Sequence, residues 1–140
     1  MDEHAAWERL RSARVGHLAT CGPDGTPHVV PFVFVLDSTT LYWAVDAKPK
    51  RSRELKRLAN IRSNPNVEVV VDAYQEDWRS LWWVRANGTA RILEPGEEWN
   101  GALSSLAGKY PQYLDRPPPG PVVAVDITRL VGWEAGAGGA

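Results

Sequence analysis

The chain has 140 residues, a length that fits one domain with a core of its own. Its 16 Lys and Arg residues nearly balance its 17 Asp and Glu residues, and this argues against a general nucleic-acid or membrane-surface protein. Its one cysteine, Cys21, excludes a disulfide within the chain and a four-cysteine zinc site.

The first half of the chain predicts a helix followed by three strands. Residues 5–13 carry apolar side chains at helical spacing. Strands are expected at 15–21 and 26–36, joined by a Gly-Pro-Asp-Gly turn, and at 41–45. The nearly continuous apolar run of 26–36 predicts burial on both faces. Pro31 inside it cannot donate to a ladder, and it predicts an edge, a bulge or a backbone that faces a ligand.

The second half predicts two helices and further strands. One helix begins at about Ser52 and stops at Asn64-Pro65, and a second covers Glu94 to Tyr110. Within the strand expected at 81–93, Asn87-Gly88 favours a bend over a hairpin turn. Other strands are expected at 67–73, 122–127 and 130–134, with an extended loop at 115–121. Six antiparallel strands and flanking helices predict a mainly β, closed barrel in a single domain over residues 1–140.

The N-terminal segment is charged and lacks the apolar region of a signal peptide. No apolar run approaches the roughly 20 residues that a membrane span needs. We therefore expect a soluble, cytoplasmic protein that contacts neither a membrane nor nucleic acid.

A basic segment opens the first long helix. Seven of the 16 basic residues fall between Lys48 and Arg62, with only Glu54 opposing them. Cations are unfavourable at a helix N-terminus, where the backbone N–H groups already carry positive potential, unless an anion is bound there. A phosphate would receive those N–H groups, the Ser52 hydroxyl and the basic side chains. The alternative is a solvated basic helix face.

The aromatic segment from Trp78 to Arg85 is a second candidate. In a strand, Trp82 and Val84 face one side while Trp83 and Arg85 face the other. One interpretation is that one ring is core and the other covers a dimer face. The other is that a ring lines the pocket of a planar ligand whose anionic group meets arginine. A site at a dimer interface satisfies both.

Other chemistry is not indicated. His17 and His28 lie on adjacent predicted strands and could face each other, but no third ligand is evident, so we expect no metal site. No nucleophile motif is present. Catalytic residues stay unassigned.

The order of several short motifs resembles the pyridoxamine-phosphate-oxidase-like split β-barrel family, and within it the small oxidoreductases that use the deazaflavin coenzyme F420. The motifs are VGHLAT at 15–20, GTPHVVPF at 25–32, LYWAVD at 41–46, the basic helix at 50–60, ANIRSNPNV at 59–67 and WWVR at 82–85. The resemblance implies an FMN-binding-type six-stranded antiparallel split barrel. It also implies a homodimer with two cofactor sites at the interface and a small-molecule substrate.

The resemblance also implies cofactor-binding residues. The ring would lie along the second and third strands, and the partner would contribute from the tryptophan strand or the Tyr110–Tyr113 loop. Candidate ring contacts are Val30, Pro31, Phe32, Trp43, Trp82 and Arg85. Candidate phosphate and tail contacts are Lys50, Arg51, Ser52, Arg53 and Lys56.

The expected function is hydride transfer between F420 and a conjugated substrate. FMN is the alternative cofactor, and the surplus of cations, with Lys48, Lys56 and Arg57, favours the longer polyanionic tail of F420. A non-catalytic cofactor-binding protein is a further alternative. Vitamin B6 chemistry is not expected, since only Glu134 and a Gly/Ala tail follow Trp133. Possible proton donors are Tyr42, Tyr110 and Tyr113, each of which is better explained by packing or by a hydrogen bond to the ring.

Overall fold

The computed structural model describes residues 1–45 and 51–136, with the backbone alone at 51–55. Its seven strands form one antiparallel sheet: β1 Gly16–Cys21, β2 Pro27–Phe32, β3 Val35–Asp37, β4 Thr40–Ala44, β5 Asn66–Ala73, β6 Trp82–Leu93 and β7 Val122–Glu134. The helices are α1 Glu3–Ser12, α2 Arg51–Ser63, α3 Glu97–Lys109 and α4 Gln112–Asp115, with a 3-10 turn at Trp78–Ser80.

The strand order explains why the sheet curls. The order is β2-β1-β5-β6-β7-β4-β3, so β2 and β3 lie at opposite ends of the sheet. Yet β2 ends at Phe32 and β3 begins at Val35, so only Val33 and Phe34 connect these ends. The sheet must therefore fold back on itself. At the junction the Phe32 and Phe34 rings stack with centroids 5.1 Å apart. The result is the predicted mainly β split barrel with flanking helices.

Two strand predictions were wrong in detail. The strand predicted over 26–36 is divided into β2 and β3, which makes seven strands rather than six. The separate strands predicted at 122–127 and 130–134 are one strand, β7. Asn87 pairs with Arg129 and Gly88 with Ile127, so Thr128 has no residue opposite it. This extra residue is a bulge that bends β7 without ending it.

Other predictions hold. β6 runs unbroken through Asn87 and Gly88, which confirms the predicted bend. α2 begins at Arg51, within one residue of its predicted start. The short helix α4 was not predicted.

The prediction that β2 is buried on both faces is wrong. Its side chains alternate, with Val30 and Phe32 turned inward while Val29 and Pro31 are exposed. The reason is that only one face of the sheet meets the core, so Val30 and Phe32 pack against it while Val29 and Pro31 lie on the opposite face.

The core fills the barrel and is covered by helices. Its fully buried members include Leu18, Val69, Val84, Val123 and Trp43. Leu10 of α1 joins this cluster, and so do Leu58 and Ile61 of α2. α3 packs outside the barrel, where Ala102 contacts a smaller cluster with Tyr42 and Val122. None of the helices in the described part of the chain is both long and apolar enough to cross a membrane.

Candidate functional site

One side of the sheet turns away from the core across five strands, and we call it the outer face. Strand register arranges it in three rows. The first row runs from β2 through β1, β5 and β6 to β7 and contains Pro31, His17, Val70, Arg85 and Val131. The second row crosses the same five strands and contains Val29, Ala19, Glu68, Asn87 and Arg129. The third row crosses only β5, β6 and β7 and contains Asp72, Trp83 and Trp133. Neighbours within a row are cross-strand partners, so their side chains lie side by side.

Several apolar side chains of the outer face are exposed to solvent. Val29 is 61 % exposed and Trp133 is 40 % exposed, and Pro31 is exposed beside His17. Val70 at the centre is half-buried. Exposed apolar side chains grouped on one sheet face are typical of a surface that binds a ligand or another protein.

An aromatic and cationic cluster occupies one end of the outer face. Trp83 and Trp133 stack with centroids 6.5 Å apart and planes inclined by 23°. Arg85 places its guanidinium carbon 5.2 Å from the Trp83 ring centroid. Its Nε lies 3.8 Å from Glu68 Oε1, which accepts a 2.6 Å hydrogen bond from Asn87. A half-exposed cation is thus held beside a flat aromatic surface, an arrangement suited to a planar ligand with an anionic group.

The open edge of β2 presents backbone N–H and C=O groups that do not pair with β1. Among the strands in residues 1–45 and 51–136, β2 pairs with β1 alone, in unbroken register from Pro27 to Phe32. Pro31 has no N–H, so it fits this ladder only with its nitrogen toward the open edge. Alternate residues of an antiparallel strand direct their backbone groups to the same side, so Val29 directs its N–H and C=O to that edge as well.

The basic helix is anchored to the barrel. Arg57 is buried, with its guanidinium carbon 5.0 Å from the centroid of Trp43. Asn60 donates a 3.1 Å hydrogen bond to the Thr20 hydroxyl, and both side chains are buried. Arg57 was expected to add to the cations around a cofactor tail, but its side chain packs on the barrel instead. Lys56 beside it is exposed.

The remaining phosphate candidates cannot be placed in full. Lys50 lies outside the described residues. Arg51, Ser52 and Arg53 form the first turn of α2, as predicted, and their side chains lie outside the described part.

The candidate ring contacts are divided between two sides of the sheet. Pro31 and Arg85 share the outer face. Val30, Phe32 and Trp43 belong to the core side, and Phe32 and Trp43 are 7 % and 2 % exposed. Trp82 also faces inward, beneath α1, with the Arg9 guanidinium carbon 4.8 Å from its ring centroid. Trp83, which the sequence reasoning did not select, shares the outer face with Arg85, and strand alternation was the signal for it.

Two of the three tyrosines considered as proton donors are already engaged. Tyr42 donates a 2.7 Å hydrogen bond to Glu98 of α3, and burial, together with that bond, raises the pKa of Tyr42 to about 12. Tyr110 donates to the backbone oxygens of Arg14 and Phe34, and burial raises its pKa. Both hydroxyls lie away from the outer face.

The two strand histidines do not face each other. His17 pairs with Pro31 on the outer face, whereas His28 pairs with Thr20 on the inward side. Across the described ranges, no group of three or more His, Cys, Asp and Glu side chains is placed to hold a metal ion.

Comparisons with known proteins show the family to which the chain is related. A family model described as pyridoxamine 5'-phosphate oxidase matches residues 2–134. Among curated proteins, none matches the chain significantly. A conserved hypothetical protein from Mycobacterium tuberculosis is 23 % identical with a TM-score of 0.75, and the match covers 96 % of this chain and 85 % of that one.

Two further solved structures share the fold. A FAD-binding protein from Mesorhizobium loti is 23 % identical with a TM-score of 0.73, and 94 % of each chain is covered. The heme storage protein HutZ from Vibrio cholerae is 14 % identical with a TM-score of 0.74, covering 96 % of this chain and 94 % of that one. Identities this low show the fold alone. Because the family match spans nearly all of the sequence, this chain belongs to the pyridoxamine 5'-phosphate oxidase family.

Proposed function

We propose that the protein is an oxidoreductase that binds a flavin-type cofactor, F420 in the first place, between two copies of itself. The main observation in support of this proposal is the outer face, which combines exposed apolar side chains, the open edge of β2 and the Trp83–Arg85 cluster. Membership of a family whose fold includes a FAD-binding protein supports a flavin-type ligand.

The outer face suits a flat ring. Val29 and Pro31 present exposed apolar surface beside the open strand edge, and the Val29 N–H can donate to a ring carbonyl. At the start of α2, backbone N–H groups with Arg51, Ser52 and Arg53 would hold the phosphate. Arg85, on the outer face, would meet an anionic group of the bound cofactor or of the substrate.

The choice between F420 and FMN depends on the cations beyond the phosphate. Lys56 is exposed, and with Lys48 and Lys50 it favours the longer, polyanionic tail of F420. Arg57 no longer contributes to this argument, because it stacks on Trp43. FMN remains the alternative cofactor, and a carrier without redox turnover is the alternative function.

The same surface supports a homodimer as part of this proposal. An isologous pair would bring the outer face against its counterpart and cover the exposed Val29 and Trp133. We expect Val70→Asp, at the centre of this face, to convert a dimer to a monomer in analytical ultracentrifugation. Ser104→Asp, on the exposed side of α3, should leave the dimer intact. A monomeric unaltered protein would contradict the dimer.

When bound, the cofactor would supply a hydride donor or acceptor at its ring carbon. The chain's own part is to orient that ring against Pro31 and the edge of β2, and to neutralise the phosphate at α2. The partner's outer face would exclude water from the site.

A cofactor titration tests the proposal. Purified protein is titrated with F420 and with FMN, following cofactor fluorescence, and compared with the Arg51→Ala, Ser52→Ala double variant. We expect the double variant to lose about tenfold or more in affinity, because charged hydrogen bonds are removed, with its circular dichroism unchanged. Arg62→Ala, in the last turn of the same helix, is the matched control and should bind normally.

The outcomes separate the alternatives. Tight FMN binding with weak F420 binding would demote F420. Unchanged affinity in the double variant would refute the phosphate assignment, and binding of neither cofactor would refute the function. If reduced F420 is not consumed with quinones, enones or tetrapyrroles, the carrier function is favoured.

A further inference from the structure

Reduction of a conjugated substrate needs a proton as well as a hydride. The hydride adds to the electron-poor carbon, and the electron pair of the C=C bond moves onto the carbonyl oxygen. The resulting enolate must then receive a proton, so the substrate gains two electrons and two hydrogens while the cofactor is oxidised. A donor on the protein must lie within hydrogen-bond reach of the bound substrate.

Two of the three tyrosines considered as donors do not meet this requirement. Tyr42 is committed to Glu98, and Tyr110 to two backbone carbonyls, on the side of the barrel away from the outer face. On the outer face itself, Glu68 already accepts a hydrogen bond from Asn87 and faces Arg85. Asp72 lies in the third row, displaced along β5 from the row that contains Pro31.

His17 lies where a donor is needed. It is exposed on the outer face, directly across from Pro31 on β2 and from Val70 on β5. Cross-strand neighbours hold their Cβ atoms about 4.5–5.5 Å apart, so the imidazole stands beside the apolar surface assigned to the ring. Arg85 follows beyond Val70 in the same row and would attract the negative charge that develops on a substrate oxygen. Imidazole is the side chain best suited to donate a proton near neutral pH.

We propose that His17 is the proton donor to the substrate in the reaction catalysed at the outer face. This inference rests on the proposed function. The His17 imidazolium gives its proton to the substrate enolate, and the neutral imidazole recovers a proton from bulk water after the product has left the site. The substrate class is accordingly a conjugated carbonyl compound small enough to stand between His17 and Arg85.

The first test measures position without turnover. His17 imidazole signals are followed by NMR during titration with oxidised F420 and, separately, with FMN. We expect the His17 signals to shift with the cofactor that binds, while those of His4, exposed on α1, stay in place. Assignment uses His17→Gln and His4→Gln. A bound cofactor that leaves the His17 signals unmoved would overturn the inference and leave the cofactor proposal standing.

The second test measures the chemical role. With reduced F420 and cyclohex-2-enone or menadione as acceptor, His17→Gln should lower kcat about a hundredfold or more, with KM and cofactor affinity close to those of the unaltered protein. Added imidazole should partly restore the rate of His17→Ala, which a purely structural role would not explain. His4→Gln should react normally.

The remaining outcomes are distinct. A normal kcat in His17→Gln would overturn His17 as the donor even where its NMR signals shift. Loss of cofactor affinity in His17→Gln, with no rescue by imidazole, would make His17 a binding residue and would also overturn the inference. If the unaltered protein binds neither cofactor or reduces none of these acceptors, the proposed function fails, and this inference fails with it.

Discussion

Arg57 of α2 stacks on Trp43 of β4, with its guanidinium carbon 5.0 Å from the ring centroid. Arg57 is 9 % exposed and Trp43 is 2 % exposed, so the contact joins the basic helix to the barrel interior. The hydrogen bond from Asn60 to Thr20 is a second tie, one turn further on. The direction of the first turn of α2 is therefore set by buried contacts that lie later in the same helix.

Loss of the Arg57 contact should destabilise the fold and weaken cofactor binding. We expect Arg57→Ala to lower the free energy of unfolding by about 1–3 kcal/mol, because a buried cation–π contact and the packing of the side-chain stem are lost together. Urea unfolding measures this, with exposed Arg62→Ala as the control, expected to change stability by less than about 0.5 kcal/mol. Equal stability in the two variants would show that the stacking contributes nothing.

The local pattern of apolar and polar residues predicted most of the helices and strands, but it did not predict which side of each strand meets the core. Alternation correctly separated Trp82 from Trp83 and Arg85, because a strand's period is a property of its own backbone. The same alternation could not say which side meets the core, since that depends on α1, whose Arg9 lies over Trp82. The resemblance implied both Trp82 and Arg85 as cofactor contacts, but Trp82 faces inward while Arg85 lies on the outer face.

The strand errors have a non-local cause. Thr128 resembles a break because it and Arg129 are two polar residues between Ile127 and Leu130, yet it is a bulge created by the register of β7 against Asn87. The interruption at Val33 and Phe34 arises from curling of the sheet, which joins its two end strands there. The exposure of His17 and Val29 likewise depends on which strands β1 and β2 meet, and the sequence of one hairpin does not contain that information.

The Tyr42 hydroxyl should titrate late among the tyrosines. Burial, and then its bond to the Glu98 carboxylate, raise the pKa of Tyr42 to about 12. The absorbance difference at 295 nm between the unaltered protein and Tyr42→Phe, recorded against pH, isolates this group. In Glu98→Gln the negative charge is gone while burial remains, so the pKa of Tyr42 should fall part of the way toward its usual value near 10. A midpoint that does not move in Glu98→Gln would exclude the carboxylate as a cause.

Lys109 should make the fold more stable as the pH rises above about 8. Its ammonium donates to the backbone oxygens of Arg11, Ala13 and Phe34, and burial, with a smaller contribution from Arg14, lowers the pKa of Lys109 to about 8. An unfolded lysine titrates near 10.4. Between these values the unfolded chain binds more protons than the folded chain, so the free energy of unfolding contributed by this group increases with pH.

The lowered pKa of Lys109 is tested by comparing how the free energy of unfolding changes with pH in two proteins. Urea unfolding at pH 7.5 and at pH 9.5 is compared between the unaltered protein and Lys109→Met. The unaltered protein should gain stability relative to Lys109→Met over this interval, because only its lysine releases a proton on folding. Subtracting the variant removes the contributions of the tyrosines, which act in the opposite direction as they ionise. A constant difference between the two proteins would contradict the lowered pKa.

Gly88 should not tolerate a side chain. A Cβ at this position would lie 2.5 Å from Val125 Cγ1 and 2.9 Å from the backbone oxygen of Asp126. Val125 is buried and a backbone oxygen of β7 cannot move aside, so β6 and β7 would have to separate at the register shift beside Asn87. We expect Gly88→Ala to lower the free energy of unfolding by about 1–3 kcal/mol in urea unfolding.

Gly101→Ala is the matched control. Gly101 is exposed on α3, and a Cβ there would meet nothing within 4 Å, so alanine's higher helix propensity should raise the free energy of unfolding by about 0.5–1 kcal/mol. Opposite signs for the same chemical change would establish that close strand approach, rather than glycine's general flexibility, requires Gly88.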